Sequence, residues 1–294
     1  MLDLIPLLAL LQAPATFRSD VALVRVDAEV SQRDARPFDD LKKEDFLITD
    51  SGKRQPIVYF GHQEAPLDVI LLFDTSASMR HVVERVAEAA HTALSELHEG
   101  DRVAVMAFDA ATDLVADFTS DFASAEESIS KQVLARRFRC CSPIQGALET
   151  AARVFLKQPR STRRRAIIVI TDDEGTSRDP GAIRQLWEAD AVVLGVIVRS
   201  PGFTIQISPS TFHDQGMRAL ATETGGDTLK TANAADGLHE MLHRLRLRYS
   251  LYYALPKGKP GEERKIKVQL SPEAARQHPG AVIRSRSGYI QPVP

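Results

Sequence analysis

Apolar and polar positions change rhythm twice along this chain. Over residues 24–30 they alternate: Val24, Val26, Ala28 and Val30 are apolar, and Arg25, Asp27 and Glu29 between them are charged. A period of two predicts a strand covered on one face only. Residues 46–49 and 56–60 flank Asp50-Ser51-Gly52-Lys53, which predicts a hairpin turning at Ser51-Gly52.

From residue 66 to about 248 the rhythm differs. Nearly continuous apolar runs at 69–73, 103–108, 166–171 and 191–198, with a shorter one at 114–118, alternate with amphipathic stretches at 79–98, 121–134, 144–157, 180–189, 214–224 and 235–246. Such runs suit parallel strands buried on both faces. Alternating β and α elements predict a doubly wound, mostly parallel sheet with helices on both faces, and ligands at the carboxyl ends of the strands. After 249 β patterns return at 249–255, 265–270 and 282–286. Each flank is too short to bury a core alone, so 16–65 and 249–294 are expected to pair as one small accessory β domain beside an α/β domain at 66–248.

The longest uncharged apolar run spans residues 4–11, too short to cross a bilayer as a helix. Ala13-Pro14-Ala15 follows it, so residues 1–15 read as a leader cleaved after Ala15, and the protein as exported to the periplasm or beyond the cell. The other reading is an apolar N-terminus packed on the domain. Lys and Arg total 37 against 39 Asp and Glu, a formal charge of −2, which argues against electrostatic binding to nucleic acid. The 2 cysteines, Cys140 and Cys141, are adjacent and cannot staple distant segments. They read as two thiols in a tight turn or as a strained vicinal disulfide.

Candidate chemistry lies at strand ends. The first buried run closes in Asp74-Thr75-Ser76-Ala77-Ser78, directly before a helix, and the run from Ala166 closes in Thr171-Asp172. A further hydroxyl, Ser142, stands beside Pro143 at a helix start. Taken alone, Asp74 to Ser78 reads equally well as a helix cap or a metal loop. With Asp172 and Ser142 at matching places, the hard oxygen donors describe a Mg²⁺, Mn²⁺ or Ca²⁺ site rather than a zinc site.

At these residues the sequence resembles the von Willebrand factor type A family, whose metal-ion-dependent adhesion site follows the pattern D-x-S-x-S, then Thr, then Asp. The resemblance spans about residues 66–248 and implies a Rossmann-like fold. It also implies that Ser76 and Ser78 bind the metal directly, that Asp74 and Asp172 hold it through water, and that Ser142 takes the place of the Thr. Cys140-Cys141 stands where Gly-Gly is frequent, and Asp173-Glu174 follows where Gly is frequent. The flanks resemble exported bacterial members of the family through Leu41-Lys42-Lys43-Glu44-Asp45-Phe46, Asp50-Ser51-Gly52-Lys53, Ile266-Lys267-Val268 and Arg286-Ser287-Gly288-Tyr289. The expected function is a binding module, not an enzyme, whose cation is completed by an Asp or Glu of a partner protein. A metal-independent structural module is an alternative.

A rival signal is His239-Glu240-Met241-Leu242-His243, an H-E-x-x-H zinc pair of the metallopeptidase kind. Against it, Leu238, Met241, Leu242 and Leu245 form an apolar stripe that leaves both histidines on its flank, and no later histidine supplies a third ligand. Arg160, Arg163, Arg164 and Arg165 read as a solvated basic loop. The Ser- and Pro-rich stretch 199–212, with Phe203 and Ile205, is expected on the same rim as the metal.

Overall fold

The computed structural model describes residues 22–32, 36–62, 65–138, 143–159, 161–172, 180–198 and 216–292. The leader and its cleavage site, Cys140, Cys141, Ser142, Arg160, Asp173, Glu174, Phe203 and Ile205 lie outside them.

The chain opens with β1 (Leu23–Ser31), β2 (Phe46–Asp50), β3 (Lys53–Gln55) and β4 (Tyr59–His62). It then runs through β5 (Leu67–Asp74), α1 (Arg80–Leu94), β6 (Arg102–Phe108), β7 (Thr112–Thr119), α2 (Phe122–Glu127), α3 (Ile144–Lys157), β8 (Arg164–Thr171), α4 (Pro180–Glu188), β9 (Ala191–Val198), α5 (Gly216–Thr224), β10 (Thr228–Thr231) and α6 (Ala234–Arg246). It closes with β11 (Tyr249–Ala254), β12 (Glu263–Leu270), α7 (Pro272–Gln277), β13 (Val282–Ser285) and β14 (Gly288–Ile290).

The central sheet has the order β10-β9-β8-β5-β6-β7. All its pairs are parallel except β6 with β7. β5, β8 and β9 are buried along their whole length, as their unbroken apolar runs require. Alternate residues point to opposite faces. Val69, Leu71, Phe73, Ile168 and Ile170 pack with α1 and α6, whereas Ile70, Leu72, Ile167 and Val169 pack with α3, α4 and α5. The stretch read as one helix at 121–134 is α2 continued by a π-helical turn, Ser128–Val133. From β5 the chain winds outward to β6 and β7, then returns through α3 to β8 on the other side. The β5/β8 boundary is therefore the switch point at which the following loops part and leave a crevice.

The flanks interleave in two antiparallel sheets, β13-β1-β11-β4 and β14-β12-β2-β3. Val24, Val26, Ala28 and Val30 of β1 share one apolar core with Phe46, Ile48, Tyr249, Leu251, Ile266 and Val268. The hairpin turn at Ser51-Gly52 is present, with φ of 48° and 80° at those two residues. Its second strand is β3, not residues 56–60; β4 crosses to the other sheet and pairs with β11.

Two charge readings need correction. The polar face of β1 is not solvated but packs on the α/β unit. Glu29, 1% exposed, accepts from Arg244 at 2.6 and 3.1 Å and from Arg248 at 3.5 Å. Arg25 donates to the carbonyls of Thr162 and Arg163 and to Asp190. Burial alone would raise the pKa of Asp27, but Arg25 and Arg164 beside it draw it down to about 2. Likewise Arg164 and Arg165 belong to no solvated loop. Both are buried in β8, and Arg164 donates to the carbonyls of Leu245, Arg246 and Arg248 and to Ser250 Oγ. Charge is tolerated there because each guanidinium meets carbonyls or carboxylates that replace its water.

Candidate metal centre

β5 and β8 are neighbours and end together, which brings Asp74 and Asp172 to the crevice at the switch point. After Asp74 the backbone bends sharply. Thr75 fixes the bend, donating from its N–H and its hydroxyl to the carbonyl of Phe108 at 2.8 and 3.0 Å. The N–H of Ser76 donates back to Asp74 Oδ1 at 2.8 Å, and a short 3₁₀ turn, Ala77–Met79, leads into α1.

Four of the five expected ligands meet here. Ser76 Oγ lies 3.1 Å from Ser78 Oγ, Ser78 Oγ donates to Asp172 Oδ2 at 2.6 Å, and Thr171 Oγ1 donates to Asp74 Oδ2 at 2.7 Å. Ser76 thus bridges the two carboxylates: its N–H meets Asp74 and its hydroxyl meets Ser78, which reaches Asp172. Neither Ser76 before the 3₁₀ turn nor Met79 before α1 makes a side-chain cap, so the helix-cap reading of this loop does not hold. Ser142, the fifth expected ligand, lies outside the described residues. Thr171 was not anticipated from sequence. It is the last residue of a buried strand, and a single Thr in an apolar run carries no signal that its hydroxyl faces a carboxylate.

Asp74 is fully buried, and no Lys, Arg or His forms an ion pair with it among the described residues. Burial lifts its pKa to about 6, the bonds from Thr171 and Ser76 oppose the rise, and Asp172 adds to it. A buried carboxylate without a counter-charge beside a second carboxylate and two hydroxyls fits a hard divalent cation. No three His, Cys, Asp or Glu side chains stand as a preassembled metal cage among the described residues; here two carboxylates share the crevice with hydroxyls.

The H-E-x-x-H histidines sit elsewhere, on α6, whose Leu238, Met241, Leu242 and Leu245 are buried as the stripe predicts. His239 and His243 both face Glu96, just beyond the end of α1. Sequence reading missed this residue because it lies far upstream in a polar turn. No helix among the described residues is long and apolar enough to cross a membrane.

Residues 69–175 match the family model described as the von Willebrand factor type A domain. No curated sequence matches the chain. Among solved structures, a von Willebrand factor type A protein from Catenulispora acidiphila is 13% identical, with a TM-score of 0.50 over 93% of this chain and 75% of that one. Proximal thread matrix protein 1 of the mussel byssus is 14% identical, with a TM-score of 0.50 over 63% of this chain and 49% of that one. An aerotolerance-related membrane protein from Bacteroides fragilis is 22% identical, with a TM-score of 0.45 over 61% of this chain and 98% of that one. At such identities the first two likenesses bear on the fold alone. Together with the sheet order and the loop at the β5/β8 switch point, the family match shows that residues 69–175 of the α/β unit are similar to the von Willebrand factor type A domain.

Proposed function

We propose that this protein is an exported, non-enzymatic interaction module that holds Mg²⁺, or Mn²⁺ or Ca²⁺, at the β5/β8 crevice and there receives an Asp or Glu of a partner protein. The observation that carries this reading is the pair of carboxylates linked through Ser76 and Ser78, one of them buried with no counter-charge among the described residues. Ser76 and Ser78 would be direct ligands, Ser142 would add a third hydroxyl, and Asp74 and Asp172 would act largely through water. When bound, the cation supplies an electrophile for an incoming carboxylate. The chain's own part is to hold the loop rigid through Thr75 and to keep both carboxylates from neutralising the ion fully.

Isothermal calorimetry on the full chain tests the reading. Mg²⁺ or Mn²⁺ should bind the wild type and bind Asp172→Asn and Ser78→Ala at least tenfold more weakly. Equal affinity in all three would overturn it. A partner retained on the wild type with Mg²⁺ but released by EDTA supports a cation-completed contact, whereas EDTA-insensitive retention would select the metal-independent alternative.

A further inference from the structure

The H-E-x-x-H histidines play no part in that function, yet the fold gives them the ligand their sequence lacked. α1 and α6 lie side by side on one face of the sheet. Residues four apart on a helix share a face, so His239 and His243 present their rings one turn apart. Between them and α1 stands Glu96, with Oε2 3.1 Å from His243 Nδ1 and Oε1 3.6 Å from His239 Nε2.

These separations are informative. A tetrahedral zinc with bonds of about 2.0–2.1 Å sets its ligand atoms about 3.3 Å apart; each histidine stands near that distance from a Glu96 oxygen, but from a different one, Oε2 for His243 and Oε1 for His239. The three groups meet as close polar contacts rather than as a ready-made ligand cage, so the side chains must turn slightly to admit an ion. They are free to do so: His239, His243 and Glu96 are 44%, 47% and 23% exposed. His239 also lines an open cavity of about 640 Å³ between α1, β10 and α6.

We propose that His239, His243 and Glu96 form a second, non-catalytic cation site for Zn²⁺, with water in the fourth position, which clamps the end of α1 to α6. Imidazole nitrogen favours Zn²⁺ over Mg²⁺, so this site is chemically distinct from the all-oxygen crevice. Glu96, not Glu240, completes it; Glu240 follows His239 directly and is turned about 100° round the helix from it. Metal-bound imidazoles are ordinarily braced through their second nitrogen, and the buried Nδ1 of His239 has no hydrogen-bond partner. The affinity should therefore be roughly 10- to 100-fold below that of a fully braced site.

The test is zinc titration by calorimetry of the untagged full chain with Mg²⁺ in saturating excess, with Co²⁺ absorption as a second readout of tetrahedral ligation. The wild type should bind one Zn²⁺ and gain a few degrees in Tm. Affinity should fall tenfold or more in Glu96→Gln and be lost in the double variant His239→Ala/His243→Ala. Asp74→Ala and Glu240→Gln should bind zinc as the wild type does. The substitutions at exposed positions should leave Tm in EDTA unchanged, which separates lost ligation from lost folding. Absence of zinc binding by the wild type, undiminished binding in the histidine double variant, or loss confined to Asp74→Ala would each overturn the proposal.

Discussion

Asp74→Asn should make the metal-free protein more stable at neutral pH. Asp74 is fully buried, and its pKa stands at about 6 rather than its ordinary 3.8. Each tenfold change in proton affinity corresponds to about 1.4 kcal/mol, so holding this carboxylate ionised at pH 7 costs the fold about 3 kcal/mol. The sign follows from linkage. The folded-state pKa is raised, so the stability of the protonated form is fully present below about pH 4 and is lost as pH rises through about 6. Asparagine removes the charge and keeps the shape. Its amide oxygen can accept the Ser76 N–H and its NH₂ can donate to Thr171 Oγ1, the two partners the carboxylate has now. The net gain should be about 1–3 kcal/mol, because the replaced bonds are uncharged. At roughly 2–4 °C per kcal/mol for a chain of this size, Tm should rise by several degrees. Thermal denaturation in EDTA from pH 4 to 7.5 should show wild-type stability falling over pH 4–6 and a flatter profile in the variant. Added Mg²⁺ should then stabilise the wild type and leave Asp74→Asn unchanged. A variant no more stable than the wild type in EDTA at pH 7, with a parallel pH profile, would refute the argument that this carboxylate is held against its solvation.

Three further outcomes concern the seam between the sandwich and the α/β domain. Glu29→Gln leaves buried Arg248 without its paired carboxylate and Arg244 with Asp227 alone, and should cost about 3–5 kcal/mol in urea denaturation. Asp27 is held down at about 2, so the stability it contributes is present above pH 4 and lost as pH falls through about 2; Asp27→Asn should be less stable at pH 7 but lose less on acidification, as read by circular dichroism. Gly288→Ala would put a methyl group 2.6 Å from the carbonyl oxygen of Arg264 and 2.8 Å from the Trp187 ring, so tryptophan fluorescence should report displacement of β14 from α4 and a lowered Tm.

The strands and helices that carry the crevice were legible because their signals are local. The apolar runs that became β5, β8 and β9 stop where a carboxylate, hydroxyl or turn begins, and α3 spans Ile144–Lys157 as its periodicity predicts. What escaped detection depends on distant partners. The apolar face of β1 could be read from alternation, but burial of its charged face depends on Arg164, Arg244 and Arg248, which come from β8, the end of α6 and the residue before β11. β10 and β14 are short and only partly apolar, and α7 spans six residues, so none has the length for periodicity to show. Crossing of β4 away from its hairpin neighbour was hidden in the same way, since β11 lies on the far side of the whole α/β domain in sequence. In the crevice, the carboxylates and serines stood out as a spaced motif, whereas Thr171 had no neighbours in sequence to mark it.

The pairing of β1 also sets an order of events on the ribosome. Leu23 faces Ala254 and Ser31 faces Val282, so the first strand made is completed only by some of the last. Every pairing within the central sheet, by contrast, lies between Leu67 and Thr231 and is available once α6 has emerged. Domains condense from the N-terminal side as they are synthesised, and closing a long loop costs entropy before its contacts repay it. The α/β domain therefore folds while β1 still waits unpaired, and the sandwich closes afterwards as a lock formed by both chain ends. In the interval β1 displays Arg25, Asp27 and Glu29 along one face, charges that discourage edge-to-edge association until the strand docks on Asp190, Arg164 and Arg244 of the α/β domain. A chain stopped short of β11 would keep the β5/β8 crevice but leave that charged strand without its lock.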